Sequence, residues 1–288
     1  MTAPKPKSDH ELAQQIESRA PIQPRPQISD IVFDFDGTLS WLRHGWPEMM
    51  HALMNSHLPP LPGESLQDRE SVLWEIILGL NGKPTIVQMM RFAEVVSARG
   101  GPRLDGGELC AKYQHRLDVE IAARSAMIRR GDAAPDDFVV FGARPLLEKL
   151  RSLDLKLIIL SSTKEDRVRE EANLLGLAPF FGRHIYGSGS DPAGFSKMDV
   201  LKKLLHEETF AGENLLSFGD GPVEISCTKE LGGFAIAVCS DENHNGSGIM
   251  DPFKRSQLLA AGADFAIPDY RQAGPLLDQL LGRQSKSL

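Results

Sequence analysis

The chain has 288 residues, a formal net charge of −7, 41% hydrophobic residues and 25% charged residues. That length and balance suit one large globular domain or two modest ones, with a sizeable core and no need of disulfide staples. They argue against a basic footprint for nucleic acid or an anionic membrane surface, and no apolar run is long enough to span a bilayer.

Residues 1–27 hold five prolines and few large apolar side chains, so they read as a flexible arm that cannot easily offset its ordering entropy. Within it, Glu11–Ser18 suggests a short helix with Asp9 as cap. The opening residues have no signal-peptide core, which makes the cytoplasm the expected location. Ile31, Val32 and Phe33 form a short apolar run, the pattern of a buried strand, and Asp34 stands at its end. From Gly45 the pattern turns helical. Trp46, Met49, Met50, Leu53 and Met54 recur at helical spacing, as do Ile86, Met89, Met90, Ala93 and Val96, with Pro59, Pro62, Pro84 and Pro102 punctuating the segment. Residues 43–137 are therefore expected to form a helical insertion.

After Phe138, strands and helices alternate. Strands are predicted at Leu155–Leu160, His184–Tyr186, Asn214–Phe218 and Phe234–Val238. Helices are predicted at Arg144–Leu153, Lys164–Leu175, Lys197–His206, from about Pro222, and from Pro252 with Asp251 as cap. This argues for a parallel sheet covered on both faces, built from residues 28–42 and 138–288. The glycine-flanked Ser188 and Ser247 fit no full phosphate-loop fingerprint and read as turns. The Asn243–Gly248 stretch is expected to be a loop near the site. Cys110, Cys227 and Cys239 are far apart and form no C-x-x-C pair, and no cysteine completes a zinc spacing with His44, His51 and His57.

In an open α/β sheet, ligands bind beyond the carboxyl ends of the strands. Three strand ends carry reactive groups: Asp34-Phe35-Asp36-Gly37-Thr38, Ser161-Ser162-Thr163, and Gly219-Asp220-Gly221-Pro222-Val223-Glu224, and Lys197 opens a later helix. Taken in order, from about Asp30 to Tyr270, these motifs resemble the phosphatase branch of the haloacid dehalogenase superfamily. The resemblance implies an α/β fold, with a Rossmann-like parallel sheet core and an α-helical cap inserted after the first motif.

It also implies roles. Asp34 is expected to be the nucleophile that forms an aspartyl-phosphate. Asp36 is expected to be the general acid and then the general base. The family's dehalogenases lack this second aspartate, so Asp36 favours phosphoryl chemistry. Ser161 and Lys197 are expected to hold the phosphoryl oxygens. Mg²⁺ is the implied cofactor, ligated by the Asp34 side chain, the Asp36 carbonyl and Asp220, with Glu224 at or just outside the first shell. Thr38 and Ser162 are expected beside the substrate. Arg43 and Lys83 are expected to hold a second anionic group, with His44, Trp46 and Gln88 as further contacts. A closed cap over a small pocket favours a small phosphorylated metabolite, such as a sugar phosphate, as partner, with no nucleic acid and no membrane. A phosphomutase using the same intermediate is the alternative. A phospho-acceptor signalling module fits less well, because such modules are shorter and do not carry the DxDGT run.

Overall fold

The computed structural model describes residues 16–18, 21–81, 83–189, 194–207 and 211–283. Seven strands form one sheet: β1 (Glu17–Ser18), β2 (Asp30–Phe33), β3 (Lys156–Lys164), β4 (Ile185–Ser188), β5 (Leu215–Gly219), β6 (Phe234–Val238) and β7 (Phe265–Ile267). Their order is β1-β7-β6-β5-β2-β3-β4. β2 to β7 pair in parallel, and β1 joins β7 antiparallel.

Alternation along the strands sorts their side chains to two faces. Ile31, Phe33, Leu157, Ile159, Leu216 and Phe218 belong to the largest apolar cluster. That cluster is covered by α5 (Ala143–Ser152), α6 (Glu165–Leu174), α7 (Ala178–Phe181) and α11 (Ala273–Leu280). Val32, Ile158, Leu160 and Leu215 face the other way, toward α8 (Lys197–Glu207) and α9 (Pro222–Glu230). The small residues Ala235, Ala237 and Ala266 let α9 and α10 (Pro252–Ala260) close over that same side. Under the strand ends, Phe33 stacks on Phe218 with centroids 4.9 Å apart, and Tyr270 tilts against both rings.

Between β2 and β3 the chain makes four helices: α1 (Trp46–Asn55), α2 (Leu66–Gly79), α3 (Thr85–Ala98) and α4 (Gly106–Arg130). They share their own core, centred on Met50, Leu53, Ile77, Met89, Phe92 and Tyr113. In α3 the buried face runs through Met89, Phe92 and Val96, and Met90, expected on that face, is 56% exposed. The chain leaves the sheet and returns to it side by side. Ser40 bridges Val139 antiparallel, Trp41 N–H donates to the Phe138 carbonyl, and Val140 N–H donates to the Leu39 carbonyl.

Three elements differ from the sequence reading. Where a helix is expected over Glu11–Ser18, Glu17 and Ser18 are extended and pair with Ala266 and Phe265. Glu17 also takes an ion pair from Arg255, while residues 11–15 lie outside the described residues. β3 runs on past Leu160 to Lys164 through a register shift against β4, so Ser161–Thr163 lie in a bulged strand rather than beyond its end. Gly187 and Ser188 belong to β4 rather than to a turn, and Gly187 has no room for a Cβ beside the β3–α6 backbone.

Phe33→Ala should cost about 3–5 kcal/mol, because it opens a cavity beneath Phe218 and Tyr270. Leu66→Ala, at a site 82% exposed, should change stability by no more than about 0.5 kcal/mol. Chemical denaturation of both variants checks the contrast.

Candidate active site

β2 lies between β3 and β5, and the chain crosses to one side for β3 and β4 and to the other for β5, β6 and β7. That is the switch point where an open sheet parts its connecting loops. Parallel pairing sets Phe33 opposite Phe218, and the Asp34 N–H donates to the Phe218 carbonyl at 3.0 Å. Asp34 and Asp220 therefore leave the sheet as neighbours. The turn after β2 is tight: Leu39 and Ser40 N–H both donate to the Phe35 carbonyl. Gly37 has φ +73°, and a Cβ there would lie 2.1 Å from Asp220 Oδ2, so only glycine fits.

One carboxylate oxygen from each of Asp34, Asp220 and Glu224 lies within 4.8 Å of the others. Two buried lysines thread between them. Lys197 Nζ is 2.9 Å from Asp34 Oδ1 and 3.1 Å from Glu224 Oε2. Lys254 Nζ is 3.1 Å from Asp220 Oδ2, 3.2 Å from Ser240 Oγ, and also paired with Glu242. Ser240 Oγ donates to the Gly37 carbonyl at 2.9 Å. Glu224 also caps its own helix, accepting from Gly221 N–H at 2.6 Å.

Burial pushes the Asp34 carboxyl well up, and the pull of Lys197 does not offset burial together with the repulsion of Glu224 and Asp220. Burial works against the charge on both lysines, but the surrounding carboxylates outweigh it and hold both ammonium groups protonated. With all four carboxyls ionised, Asp34, Asp220, Glu224 and Glu242 exceed the two ammonium groups by two negative charges, and burial together with that excess holds the Asp34 carboxyl up. Like charges at such separations repel by roughly 3 kcal/mol per pair in a protein-like dielectric. A hard divalent cation matches both the all-oxygen donor set and the missing charge. Asp34, Asp220 and Glu224 are the residues that would hold it.

Asp36 does not point into this cluster. Its Oδ2 accepts from Thr163 Oγ1 at 2.8 Å, and its Oδ1 pairs with Arg43. The sequence suggests Arg43 as a contact for a second anionic group of the substrate. The structure instead commits it to Asp36 and to Glu171 on α6. Thr38 is buried, and its hydroxyl donates to Asp220 Oδ1 at 3.3 Å. Ser161 is buried in the bulge of β3, its hydroxyl accepting from Thr163 N–H at 3.1 Å. Ser162 and Lys83 are exposed on the cavity wall.

The cavity, about 1230 Å³, lies between the sheet and the helical insertion and takes in Asp34, Asp36, Ser161 and Lys197 on one side. Trp46, Asn81, Gln88 and Tyr113 line the other. His44 is stacked on Trp41, and the Gln88 amide is spent on the Ile77 carbonyl. The loop at Asn243–Gly248 does not enter the cavity: Asn245 binds Phe141 N–H and the Val139 carbonyl, and only Glu242 before it reaches the wall. Lys254, Glu242 and Glu171 carry no local sequence signal. Lys254 reads as an ordinary residue in the first turn of a helix, and its neighbour Asp251, the cap found at that helix, is the part the pattern reveals.

Burial raises the Asp220 carboxyl to about 6, with Lys254 pulling it down and Glu224 and Glu242 pushing it up. A raised carboxyl makes the native state bind more protons than the unfolded chain between about pH 4 and 6, so cation-free stability falls as pH rises through that window. A divalent cation held by Asp34, Asp220 and Glu224 would compete with the same proton, and Mg²⁺ is the ion to try. Its addition should raise the melting temperature by several degrees at about pH 7.5 and by clearly less at about pH 5, measured by thermal denaturation. No shift at either pH would count against a cation at these carboxylates.

Comparison with known proteins agrees with this geometry. The family model described as haloacid dehalogenase-like hydrolase matches residues 28–232. No curated protein matches the chain. Among solved structures, a haloacid dehalogenase-like protein of unknown function from Agrobacterium tumefaciens is similar with TM-score 0.60 and 18% identity, covering 87% of this chain and 97% of that one. A haloacid dehalogenase family hydrolase from Deinococcus radiodurans with bound phosphate and sodium gives 0.57 and 16%, covering 89% and 97%. The CbbY protein of Rhodobacter sphaeroides in complex with xylulose-(1,5)bisphosphate gives 0.52 and 16%, covering 86% and 96%. These likenesses lie in the fold, and with the match over most of the chain they lead to one conclusion: this chain belongs to the haloacid dehalogenase-like hydrolases.

Proposed function

We propose that this hydrolase is a Mg²⁺-dependent phosphatase that cleaves a small phosphorylated metabolite through an aspartyl-phosphate on Asp34. The observation that carries the reading is the pairing of two carboxyls at one strand end with different surroundings. Asp34 faces Lys197 and the cation-deficient cluster, while Asp36, two residues on, faces Thr163 and Arg43 across the same cavity. Unlike surroundings of this kind support a division of labour in which one carboxylate attacks and the other handles protons.

In this reading Asp34 Oδ attacks phosphorus, and Asp36 protonates the departing oxygen. Asp36 then takes a proton from the water that releases phosphate. Lys197 neutralises charge on Asp34 and on the phosphoryl oxygens, and the Ser161 hydroxyl donates to one of them. The Asp36 carbonyl would join Asp34, Asp220 and Glu224 around the cation. When bound, Mg²⁺ supplies charge that lets a phosphate dianion approach a carboxylate. The helical insertion acts as a cap that keeps bulk water out during the first step. Lys83, exposed on the cavity wall, is a candidate contact for a second anionic group.

The substrate class rests on the cavity. Its volume, about 1230 Å³, slightly exceeds the roughly 300–1,000 Å³ usual for small-ligand sites. It is walled on the cap side by Trp46 and Tyr113 with polar groups between. The bisphosphorylated sugar in the similar Rhodobacter structure supports a sugar-phosphate-sized substrate. The cytoplasm remains the proposed location, and no described helix is long and apolar enough to cross a membrane.

The test is phosphate release from a panel of phosphorylated metabolites, with and without Mg²⁺. Wild type should release phosphate only with Mg²⁺, and Asp34→Asn should lose at least about a thousandfold in kcat. Release that survives this substitution would rule out Asp34 as nucleophile. Interconversion of sugar phosphate isomers without release would turn the assignment to a mutase.

A further inference from the structure

Arg43 is 8% exposed although it lies in the linker between the β2 turn and α1. Its guanidinium is divided between two carboxylates. Nη1 donates to Asp36 Oδ1 and also to Glu171 Oε2, and Nη2 donates to Glu171 Oε1 at 2.8 Å. Glu171 therefore takes the two-pronged face of the fork, and Asp36 meets a single edge. The other oxygen of Asp36 is held by Thr163. Both oxygens of this carboxyl are fixed from outside its own turn, by the bulge of β3 and, through Arg43, by α6.

Glu171 is 5% exposed and sits on the buried face of α6 with Val168 and Ala172. Burial pushes its carboxyl up despite Arg43. An apolar side chain is the default there. Removing two ions from water costs several kcal/mol each, and replacing a buried ion pair by well-packed apolar residues is often neutral or stabilising. Stability alone therefore gives no reason for a glutamate at this position. Orientation does. A guanidinium released from Glu171 would turn its fork onto Asp36 and grip it with two bonds, which would draw the carboxyl away from the substrate.

We propose that Glu171 is a positioning residue: acting through Arg43, it sets the orientation in which the Asp36 carboxyl meets the leaving oxygen. The inference rests on the phosphatase reading above. In the step concerned, the bond from Asp34 Oδ to phosphorus forms as the bond from phosphorus to the ester oxygen breaks. That oxygen takes the proton carried by Asp36, and Asp36 becomes a carboxylate. An ester whose leaving oxygen departs as a stable anion needs no such proton. An alkyl ester does.

The experiment compares kcat/KM for p-nitrophenyl phosphate with kcat/KM for the alkyl phosphate that wild type turns over fastest in a panel containing β-glycerophosphate, using the full chain with Mg²⁺; kcat/KM excludes the later hydrolysis of the aspartyl-phosphate, which is common to both esters. In Glu171→Gln, the ratio of alkyl to aryl kcat/KM should fall at least about tenfold, since general acid catalysis is worth roughly 10² to 10⁴. KM for both esters should stay within about threefold of wild type, as expected when only a transition-state interaction is lost. Glu171→Asp, which keeps the charge one methylene further back, should lower the ratio by an intermediate amount. Equal losses on both esters, or no loss, would overturn the proposal. If Glu171→Gln does not fold, as judged by circular dichroism, an unchanged ratio in Glu171→Asp overturns it. Wild type inactive on both esters would remove the phosphatase reading itself and this inference with it, whereas an active wild type with an unchanged ratio removes the inference alone.

Discussion

The pairing of β2 with β5 decides where everything else in the site can be. Phe33 lies opposite Phe218, and the first backbone hydrogen bond past that pair belongs to Asp34. A slip of one residue would turn Asp34 toward the opposite face of the sheet. The register is fixed from below by the stacked Phe33 and Phe218 rings with Tyr270 against them. It is fixed from above by glycine, because Gly37 must admit Asp220 and Gly219 must admit the Glu224 side chain, where a Cβ would lie 2.2 Å from Cγ. An aromatic floor and a glycine ceiling hold together two chain segments 182 residues apart in sequence, so that their carboxylates meet.

From that closeness follows the charge problem, and the fold answers it in two ways. Lys197 and Lys254 are driven to remain charged by the carboxylates around them, so the cluster is partly neutralised from within. The remainder is left to something that can come and go. A site fully neutralised by its own side chains would not attract a cation, and one with no lysines would be costly to bury. The surroundings of Asp36 follow a different rule. Asp36 has its own partners, Arg43 and Thr163, and is kept apart from the oxygen cluster despite lying two residues from it.

The sequence discloses those parts of the molecule whose physics is local. The apolar run before Asp34, the helical spacing of Met50, Leu53 and Met54, the cap Asp251 and the position of Lys197 at the start of α8 all involve residues within a turn or a strand of each other. Asp34, Asp220, Glu224 and Lys197 are legible as candidates because they stand at strand ends or helix starts, and the structure brings the four together. What stayed hidden depends on contacts across the fold. Arg43 reads as a free cation until Glu171, on a distant helix, is placed against it. Lys254 reads as a solvated helix residue until the β6–α10 loop carries it to Asp220. Glu17 and Ser18 read as part of a helix until β7 offers them an open sheet edge. The short α7, β7 and α11 fell below the length at which periodicity separates strand from helix.

The bridge between Ser40 and Val139 has a bearing on how this chain folds and how it tolerates change. It brings the two ends of the whole helical insertion to one point. The entropy of closing a loop grows only with the logarithm of its length, about 0.6 kcal/mol for each doubling. With its ends already joined and an apolar core of its own, the insertion could lengthen, shorten or be exchanged while the sheet met almost the same entropic cost. Variation in the helical wall of the cavity is thereby separated from the stability of the strand ends on its other side.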